Sequence, residues 1–296
     1  MPLEPGEKES DFDEVRTEPF AMMKIGNRVF DTENICYVMG ILNVTPDSFS
    51  DGGKWTDLER AKRHTADMIA EGADIIDIGG ESTRPGYEKV SVQEEIDRVA
   101  PAIEMVKREF DVPVSIDSYK GPVVQAALQA GADLVNDIWR LKYDRSVAEH
   151  IARYQVPCCL MHNREQAEYG DFLEDVCRDL MESVEIARAA GIPDSRIILD
   201  PGVGFGKTYE QNLEIIRHLN RLTALGYPVL LGTSRKSVIG LTLDLPADQR
   251  VEGTLVTTVM GVEQGAAFVR VHDVKENVRA VRMTRAILRG RKEIQP

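Results

Sequence analysis

One structural unit recurs eight times between residues 37 and 288: a short apolar segment, a polar loop, and a stretch with helical periodicity. The apolar segments are too short for helices, and unbroken runs such as Ile197–Leu199 are typical of strands buried on both faces. In roughly 260 residues, this repeat predicts an α/β fold, a (β/α)₈ TIM barrel of eight parallel strands. An open doubly wound sheet is the alternative, but the glycine fingerprint that usually follows its first strand is absent.

Turn and cap residues set the expected boundaries. The Gly26-Asn27 pair between two apolar segments predicts a short N-terminal β-hairpin over residues 23–34. The barrel strands are expected at 37–43, 75–78, 114–116, 134–135, 157–161, 196–199, 229–231 and 267–271. Capping boxes predict helix starts at Thr56 with Glu59, Ser91 with Glu94, and Thr208 with Gln211.

The first 22 residues differ from the remainder of the chain. Residues 1–18 contain seven acids and two bases and have no apolar periodicity. This composition predicts a disordered acidic N-terminal tail over residues 1–22, which we assign no function. Residues 23–296 are expected to form a single barrel domain.

Composition excludes several classes of partner. The net charge of −13 argues against nucleic acid as a partner. The sequence contains no run of eighteen apolar residues, so no membrane span is predicted. The N-terminus lacks the features of secretory and organellar import signals. No CxxC pair occurs, and the cysteines are expected to be buried reduced thiols, as in a cytoplasmic protein: Cys36, Cys158, Cys159 and Cys177.

In a (β/α)₈ barrel the active site is built where the strands end at their carboxyl side. The residues at these positions mix acids, amides and bases, which fits a ligand with both donor and acceptor edges. They are Asn43, Glu81, Asp117, Asn136, His162, Asp200, Arg235, Lys236, Arg270 and His272.

Two strand ends carry sharper expectations. Strand alternation sends Arg270 and His272 to the same inner face, where a purely structural barrel would have apolar side chains. An ion pair of Arg270 with Asp200 or Asp117 is the structural alternative. Asp200 follows a buried apolar run and therefore needs a donor, which could be a helix N-terminus, an ion-pair partner or a ligand.

An anionic ligand is expected near residues 232–237. Arg235 and Lys236 precede a predicted helix there, although cations usually favour the opposite end of a helix. The amide of Asn43 could cap its own loop or join phosphate oxygens and water around Mg²⁺. His162 has no partner at metal-ligand spacing and is expected to line a pocket or the core, not to bind zinc.

These segments together resemble the dihydropteroate synthase family. The similarity covers all eight strand ends in family order, from about residue 23 to the C-terminus. The matching segments are MGILNVTPDSFSDGG (39–53), DIGGESTRPG (77–86), SIDSYK (115–120), ND (136–137), LMHN (160–163), DPGVGFGKT (200–208), LGTSRKS (231–237) and RVHDV (270–274).

The resemblance implies a transferase of folate biosynthesis. Such an enzyme joins 6-hydroxymethyl-7,8-dihydropterin pyrophosphate to p-aminobenzoate and releases 7,8-dihydropteroate and pyrophosphate. The reaction is expected to be SN1-like, with pyrophosphate leaving before the arylamine attacks the pterin methylene. The resemblance also implies Mg²⁺ as cofactor, sulfonamides as inhibitors that compete with p-aminobenzoate, and a homodimer.

The family's site residues carry over by matching motif. The expected catalytic residues are Lys236, Asp117, Arg270 and Asp47. The pterin pyrophosphate is expected to contact Thr83, Asp117, Asn136, Met161, Asp200, Phe205, Lys236, Arg270 and His272. The p-aminobenzoate side is expected to be formed by Arg84, Pro85, Ser237 and Phe49, with Thr83, Lys236, Asp47 and Ser48 contributing. Asn43 is the expected metal ligand.

Two other activities are consistent with a pterin-binding barrel. A methyltetrahydrofolate:corrinoid methyltransferase shares the pterin-holding residues but has no pyrophosphate to bind, so it does not need Arg270, His272 or a metal at Asn43. A non-catalytic paralogue should have lost one of these or Arg84 or Lys236, and all are present. The segment 44–53 has few apolar anchors and is expected to be a mobile lid that closes over pyrophosphate.

Overall fold

The computed structural model describes residues 22–45, 53–81 and 90–290, with side chains from residue 57 onward in the second range. The strands are β1 (Met22–Ile25), β2 (Arg28–Asp31), β3 (Tyr37–Asn43), β4 (Ile75–Gly79), β5 (Val114–Asp117), β6 (Leu134–Asp137), β7 (Cys158–Met161), β8 (Ile197–Asp200), β9 (Leu230–Leu231) and β10 (Phe268–Val271). The helices are α1 (Gly53–Glu71), α2 (Val92–Glu109), α3 (Gly121–Gln129), α4 (Ser146–Tyr154), α5 (Phe172–Ala189), α6 (Tyr209–Arg217), α7 (Asn220–Thr223), α8 (Ser237–Leu243), α9 (Val251–Glu263) and α10 (Val274–Arg289).

The barrel strands are all parallel and pair in the order β8-β7-β6-β5-β4-β3-β10-β9. The ring closes between β8 and the start of β9 through a parallel bridge from Leu199 to Val229. The Leu199 N–H donates to the carbonyl oxygen of Pro228 at 2.9 Å. Each barrel strand therefore has a neighbour on both sides, and the predicted (β/α)₈ fold is confirmed.

The N-terminal hairpin closes the barrel at the end opposite the strand carboxyl ends. β1 and β2 pair antiparallel around Gly26, whose φ of +60° suits the left-handed region that this turn needs. Phe30 of β2 packs its ring 4.7 Å from that of Tyr37 and 5.9 Å from that of Phe268. The apolar layer that the hairpin covers is formed by Met39, Ile75, Leu134, Cys159, Ile198, Leu230 and Phe268.

Two of the three predicted helix starts are confirmed. Ser91 Oγ accepts from the Glu94 N–H at 3.2 Å, and Thr208 forms the full capping box that begins α6. The start at Thr56 is wrong, because α1 begins at Gly53. No proline or β-branched residue lies between Gly53 and Thr56, so the helical backbone extends back through this segment.

All four cysteines are free and buried, as expected. Cys158 packs in the layer between strands and helices, whereas Cys159 lies inside the barrel. Within the described ranges, no helix is both long and apolar enough to cross a membrane. The predicted tail boundary is one residue too late, because Met22 is the first residue of β1 and pairs with Asp31. Residues 1–21 lie outside the described residues, so the rest of the tail and the domain division remain predictions.

Candidate active site

The strand ends bring the predicted charged side chains together around Gly232, which follows β9. A Cβ at Gly232 would lie 3.7 Å from Oδ2 of Asp200, 3.8 Å from Nζ of Lys236 and 3.9 Å from Cβ of Arg270. Charged residues from β8, from the start of α8 and from β10 therefore meet beside a residue without a side chain. The absence of a side chain at Gly232 leaves these charged groups near one another at the strand ends.

Arg270 lies at the centre of a buried ion triad. Its Nε donates to Oδ2 of Asp77 and its Nη2 donates to Oδ2 of Asp117, both at 2.6 Å. The structural alternative of an ion pair with Asp117 is therefore present, whereas no salt bridge joins Arg270 to Asp200 among the described residues. Asp77 was missed as a site residue, although an acid inside the apolar segment IIDIG signals a buried partner.

Burial sets the protonation of this triad. Burial raises the pKa of Asp117 to about 7, against the lowering effect of Arg270, and Asp77 raises it further. Burial alone would lower the pKa of Arg270, but the two carboxylates raise it, so the guanidinium stays charged. Asp117 is therefore poised to exchange a proton near neutral pH.

Asp200 and Lys236 face each other at the carboxyl ends of the barrel strands. Oδ1 of Asp200 accepts from the Gly202 N–H at 2.7 Å, and burial raises the pKa of this carboxyl against the lowering effect of Lys236. Lys236 donates to the carbonyl oxygen of Val203, and its Nζ lies 4.8 Å from the centroid of the Phe205 ring. Burial lowers the pKa of Lys236 to about 8, and Asp200 opposes that change.

A flat apolar wall lies beside these charges. Met161 packs against Tyr119 and Ile138, with Trp139 and Phe205 at the edge of the cluster. On the neighbouring strand, Asn136 is 4% exposed, and its side-chain amide makes no hydrogen bond within the described part of the chain. Because a buried amide needs partners, this amide is a candidate for contact with a ligand's polar edge.

Asn43 and Asp117 approach a common point over Gly79, the last residue of β4. A Cβ at Gly79 would lie 3.7 Å from Oδ2 of Asp117 and 3.8 Å from Oδ1 of Asn43. The Asn43 amide makes no hydrogen bond to a described residue, and the alternative that it caps its own loop falls on residues 46–52, which lie outside the described residues. Two side-chain oxygen atoms from different strands thus lie close to the same backbone position.

Comparison with known proteins decides what this site belongs to. The pterin binding enzyme family matches residues 39–272 of the chain. A dihydropteroate synthase of Clostridium beijerinckii is 59% identical over 268 residues, which cover 90% of this chain and 100% of that protein. The chain belongs to the dihydropteroate synthase family. It is therefore a transferase of folate biosynthesis, and the resemblance is confirmed.

Two solved dihydropteroate synthases extend the comparison to structure. The Clostridium difficile enzyme, crystallised in the presence of pteroic acid, is 52% identical with a TM-score of 0.86, covering 88% of this chain and 99% of its own. The Yersinia pestis enzyme in a sulfonamide drug complex is 42% identical with a TM-score of 0.85, covering 91% and 100%. The relatives are synthases, so the comparison supports neither the methyltransferase nor the non-catalytic alternative.

The other strand-end residues of this family member have protein partners. Arg235 forms a two-point ion pair with Asp273, so it already has an anionic partner in the protein. His272 Nδ1 lies 3.0 Å from Ser234 Oγ, which also accepts from the His272 N–H. Ser237, the first residue of α8, is exposed.

His162 lies in the core beneath the site, as expected, and within the described ranges no group of three potential ligands could hold a metal. Its Nε2 lies 3.1 Å from Oδ2 of Asp179 and its Nδ1 lies 2.9 Å from Nζ of Lys207. Burial lowers the pKa of His162 to about 3, so the ring is neutral. Glu81 is held by the Tyr119 hydroxyl and the Lys120 ammonium, both at 2.7 Å.

Part of the expected site lies outside the described residues. This applies to Asp47, Ser48, Phe49, Thr83, Arg84 and Pro85. The same holds for residues 46–52 of the expected lid. Just before them, the Val44 N–H donates to the carbonyl oxygen of Gly79 at 2.9 Å, which fixes the end of β3.

Proposed function

We propose that this site condenses 6-hydroxymethyl-7,8-dihydropterin pyrophosphate with p-aminobenzoate to give 7,8-dihydropteroate and pyrophosphate. One observation carries the assignment of substrates to this site. Asp200, Lys236 and Arg270 converge beside Gly232, and Asn136, whose amide makes no hydrogen bond to a described residue, lies in register with Asp117 on the adjacent strand. A donor and acceptor set for a heterocycle therefore adjoins a cation suited to a pyrophosphate.

The pterin ring is held by complementary hydrogen bonds. Asp200 accepts from adjacent N–H groups of the ring, because its Oδ2 receives no hydrogen bond within the described ranges. Asn136 serves positions of mixed donor and acceptor character, and Lys236 donates to a ring acceptor. Met161 and Phe205 supply apolar contact with the faces of the ring. Thr83, assigned by motif, completes this set.

Pyrophosphate binds beside Arg270. Nη1 of this guanidinium makes no hydrogen bond to a described residue, which leaves donors for a phosphate oxygen. His272 contributes a second basic group from the end of β10.

The residues near Gly79 fit Mg²⁺. Oδ1 of Asn43 and Oδ2 of Asp117 both lie within 4 Å of the ideal Cβ position of Gly79, and Mg²⁺ prefers a few protein oxygens together with phosphate oxygens and water. Asn43 is the proposed ligand. When bound, Mg²⁺ neutralises part of the charge on the departing pyrophosphate.

Catalysis follows from charge stabilisation rather than from a strong general base. The bond between the pterin methylene and pyrophosphate oxygen breaks, the electron pair leaves with pyrophosphate, and Arg270 neutralises the new charge. The arylamine nitrogen then bonds to the methylene and releases its proton to solvent or pyrophosphate. Lys236 and Asp117 orient the ring, and Asp117 can exchange a proton with it at neutral pH. Asp47 is the fourth member of the proposed catalytic set.

The p-aminobenzoate side is the rim next to α8. Ser237 is exposed there, directly after Lys236, and accepts or donates to the substrate carboxylate or amine. Phe49, Arg84 and Pro85, assigned by motif, form the rest of this pocket. Sulfonamides are expected to compete for the same space, by analogy with the Yersinia pestis complex.

Pyrophosphate release from the two substrates, with and without Mg²⁺, tests this function. Wild-type protein is expected to turn over only with both substrates and to need Mg²⁺. Asp200→Ala is expected to lose at least about two orders of magnitude in rate, about 3 kcal/mol. Lys142→Met is the control, because Lys142 pairs with Glu182 at the surface. Absence of turnover by wild-type protein would refute the proposal.

We further propose a homodimer that covers the outer face of α8, α9 and α10. These neighbouring helices expose Leu241 at 69%, Val256 at 60%, Met283 at 62% and Ile287 at 67%. An apolar surface shared by three adjacent helices is typical of an interface. The buried free thiols fit a cytoplasmic location.

Light scattering after gel filtration tests the dimer. Wild-type protein is expected at twice the chain mass of 33.0 kDa. Val256→Glu should shift it to the monomer mass. Val29→Glu is the matched control, because Val29 is 58% exposed on the hairpin. A monomeric wild type, or equal behaviour of both variants, would contradict the proposal.

A further inference from the structure

The loop 201–207 is pressed against the chain that leaves β7. A Cβ at Gly202, where φ is +67°, would lie 1.8 Å from the carbonyl oxygen of His162. A Cβ at Gly206, where φ is +53°, would lie 2.3 Å from the carbonyl oxygen of Arg164. Only glycine permits this approach, so the position of the loop depends on what holds the two segments together.

Lys207 holds them from inside. Its Nζ lies 3.0 Å from the carbonyl oxygen of Gly202, 3.1 Å from that of Phe205 and 2.9 Å from Nδ1 of His162. An ammonium has three donors, and three acceptors surround this one. Burial lowers the pKa of Lys207, but a neutral amine has two N–H groups and would turn its lone pair toward one acceptor. Because Asp179, whose pKa is lowered, accepts the Nε2 proton of the neutral His162 ring, Nδ1 is an acceptor, and three acceptors around Nζ fit the charged form.

The neutral His162 ring extends this network. With Nδ1 accepting from Lys207, Nε2 carries the proton and donates to Asp179 at 3.1 Å. Asp179 also accepts from Nη2 of Arg140 at 3.1 Å and from Nε of Arg164 at 2.7 Å. The loops after β6, β7 and β8 are thus joined through one chain of hydrogen bonds.

We propose that Lys207 is a positioning residue for the pterin substrate. Its three hydrogen bonds fix the loop that presents Phe205 and the Gly202 N–H, which donates to Asp200, and its charge adds to the effect of Lys236 and Arg270 in favouring the ionised carboxylate. The inference rests on the proposed role of Asp200 as the anchor for the pterin ring. Lys207 itself touches no part of the proposed substrate position.

The groups that face Asp200 determine the sign of the effect. Lys236 faces it from the start of α8, Arg270 from β10 and Lys207 from the loop, and all three lower the pKa of Asp200 against the effect of burial. Cys159 faces it from β7 as an uncharged thiol, because burial raises the thiol pKa. Removal of the Lys207 charge therefore raises the pKa of Asp200, and substrate binding is lost at a higher pH.

The test compares two ways of loosening the loop. Lys207→Met removes the charge and all three hydrogen bonds. Tyr169→Phe removes only the hydroxyl that donates to the carbonyl oxygen of Gly206 at 2.6 Å, so it loosens the loop without a change of charge. Lys142→Met removes a surface ammonium from the same end of the barrel. The pH dependence of kcat/KM for the pterin substrate, and KM itself, are measured for each.

Lys207→Met is expected to raise KM for the pterin substrate about tenfold, the scale of one lost charge-assisted hydrogen bond. It should also move the acidic limb of the profile to higher pH. Tyr169→Phe should raise KM with an unmoved acidic limb, and Lys142→Met should change neither. If the acidic limb of Lys207→Met coincides with that of wild type, the proposal is overturned.

Further arms separate the possible failures. If Lys207→Met does not fold, Lys207→Gln keeps two donors without the charge and is expected to show the same shift of the acidic limb. Failure of both variants to fold would overturn the proposal, because it would give Lys207 a purely structural role. An inactive wild type would refute the proposed function instead. Normal KM in Asp200→Asn would refute the anchor on which the inference rests.

Discussion

Replacement of Arg270 by methionine should lower the free energy of unfolding of the barrel and should also abolish activity. The guanidinium bonds to Asp77, whose side chain is 0% exposed, and to Asp117, whose side chain is 8% exposed. Removal of one partner from a buried ion pair costs about 3–5 kcal/mol, because the remaining charge is left without compensation. For a chain of this size, that loss lowers Tm by about 6–10 °C.

The penalty should depend on pH. In wild type, burial raises the folded pKa of Asp117 to about 7, above its unfolded value, so its stabilising contribution is complete in acid and is lost as pH rises through 7. Without Arg270, which lowers this pKa, the folded value is higher still. The free energy of unfolding of both proteins therefore falls in parallel up to about pH 7. Above that pH only that of the variant continues to fall, by about 1.4 kcal/mol per pH unit.

Urea unfolding of Arg270→Met and wild type at pH 6 and pH 9 measures both effects. Addition of Asp77→Asn to the variant should recover part of the loss, because it removes one of the stranded charges. Arg235→Met is the matched control: its partner Asp273 and the guanidinium are more exposed, and about 1 kcal/mol or less is expected at either pH. A variant within 1 kcal/mol of wild type, or an equal penalty at both pH values, would refute the reasoning.

Three further predictions concern single side chains. Lys236→Ala should lower kcat/KM by at least about two orders of magnitude. We expect the wild-type rate to fall as pH rises through about 8, and Lys236→Arg should abolish that fall, since a guanidinium does not titrate there. Asn43→Ala and Gly79→Ala should both raise the Mg²⁺ concentration for half-maximal rate several-fold with little change in Tm, because the added Cβ at Gly79 makes only ordinary contacts. Gly202→Ala should fail to fold or lose most of its stability in thermal denaturation, because its Cβ would overlap the carbonyl oxygen of His162.

Each of these predictions has an outcome that contradicts it. An unchanged alkaline limb in Lys236→Arg would show that another group titrates. An unchanged Mg²⁺ requirement in Asn43→Ala would show that Asn43 is not the ligand. A large loss of Tm in Gly79→Ala would show that a methyl group does not fit at Gly79. A stable Gly202→Ala would contradict the close approach of the loop to β7.

The arrangement of the site could be predicted where it depends on local alternation. A strand end fixes which side chains point inward, so the sequence alone places four of them at one mouth: Asp117, Asn136, Asp200 and Arg270. The expectation of an anionic ligand at Arg235 rested on its place before a predicted helix, and this local position did not reveal its protein partner. Its side chain turns to Asp273, 38 residues away in sequence.

Partner choice across the barrel could not be predicted in the same way. Arg270 pairs with Asp77 over 193 residues and Lys207 meets His162 over 45 residues. These residues come together only when the sheet closes, and no local propensity indicates which of them will pair. The signals that remained in the sequence were an acid within the apolar segment of β4 and a lysine that follows three closely spaced glycines.

Charged side chains lie at one end of the barrel axis and apolar packing lies at the other, and this arrangement indicates where a ligand must enter. The hairpin closes the end opposite the strand carboxyl ends with Phe30 and its neighbours. The layer of charged side chains therefore opens toward the strand carboxyl ends. Buried charges in that layer are tolerated because they pair, as Arg270 does with two carboxylates. The amides of Asn43 and Asn136 lack such partners among the described residues. Asn136 is buried, and a buried amide without partners costs free energy, so we expect the substrate to complete its hydrogen bonds. Asn43 is only half-buried, and its proposed role rests on its place beside Asp117.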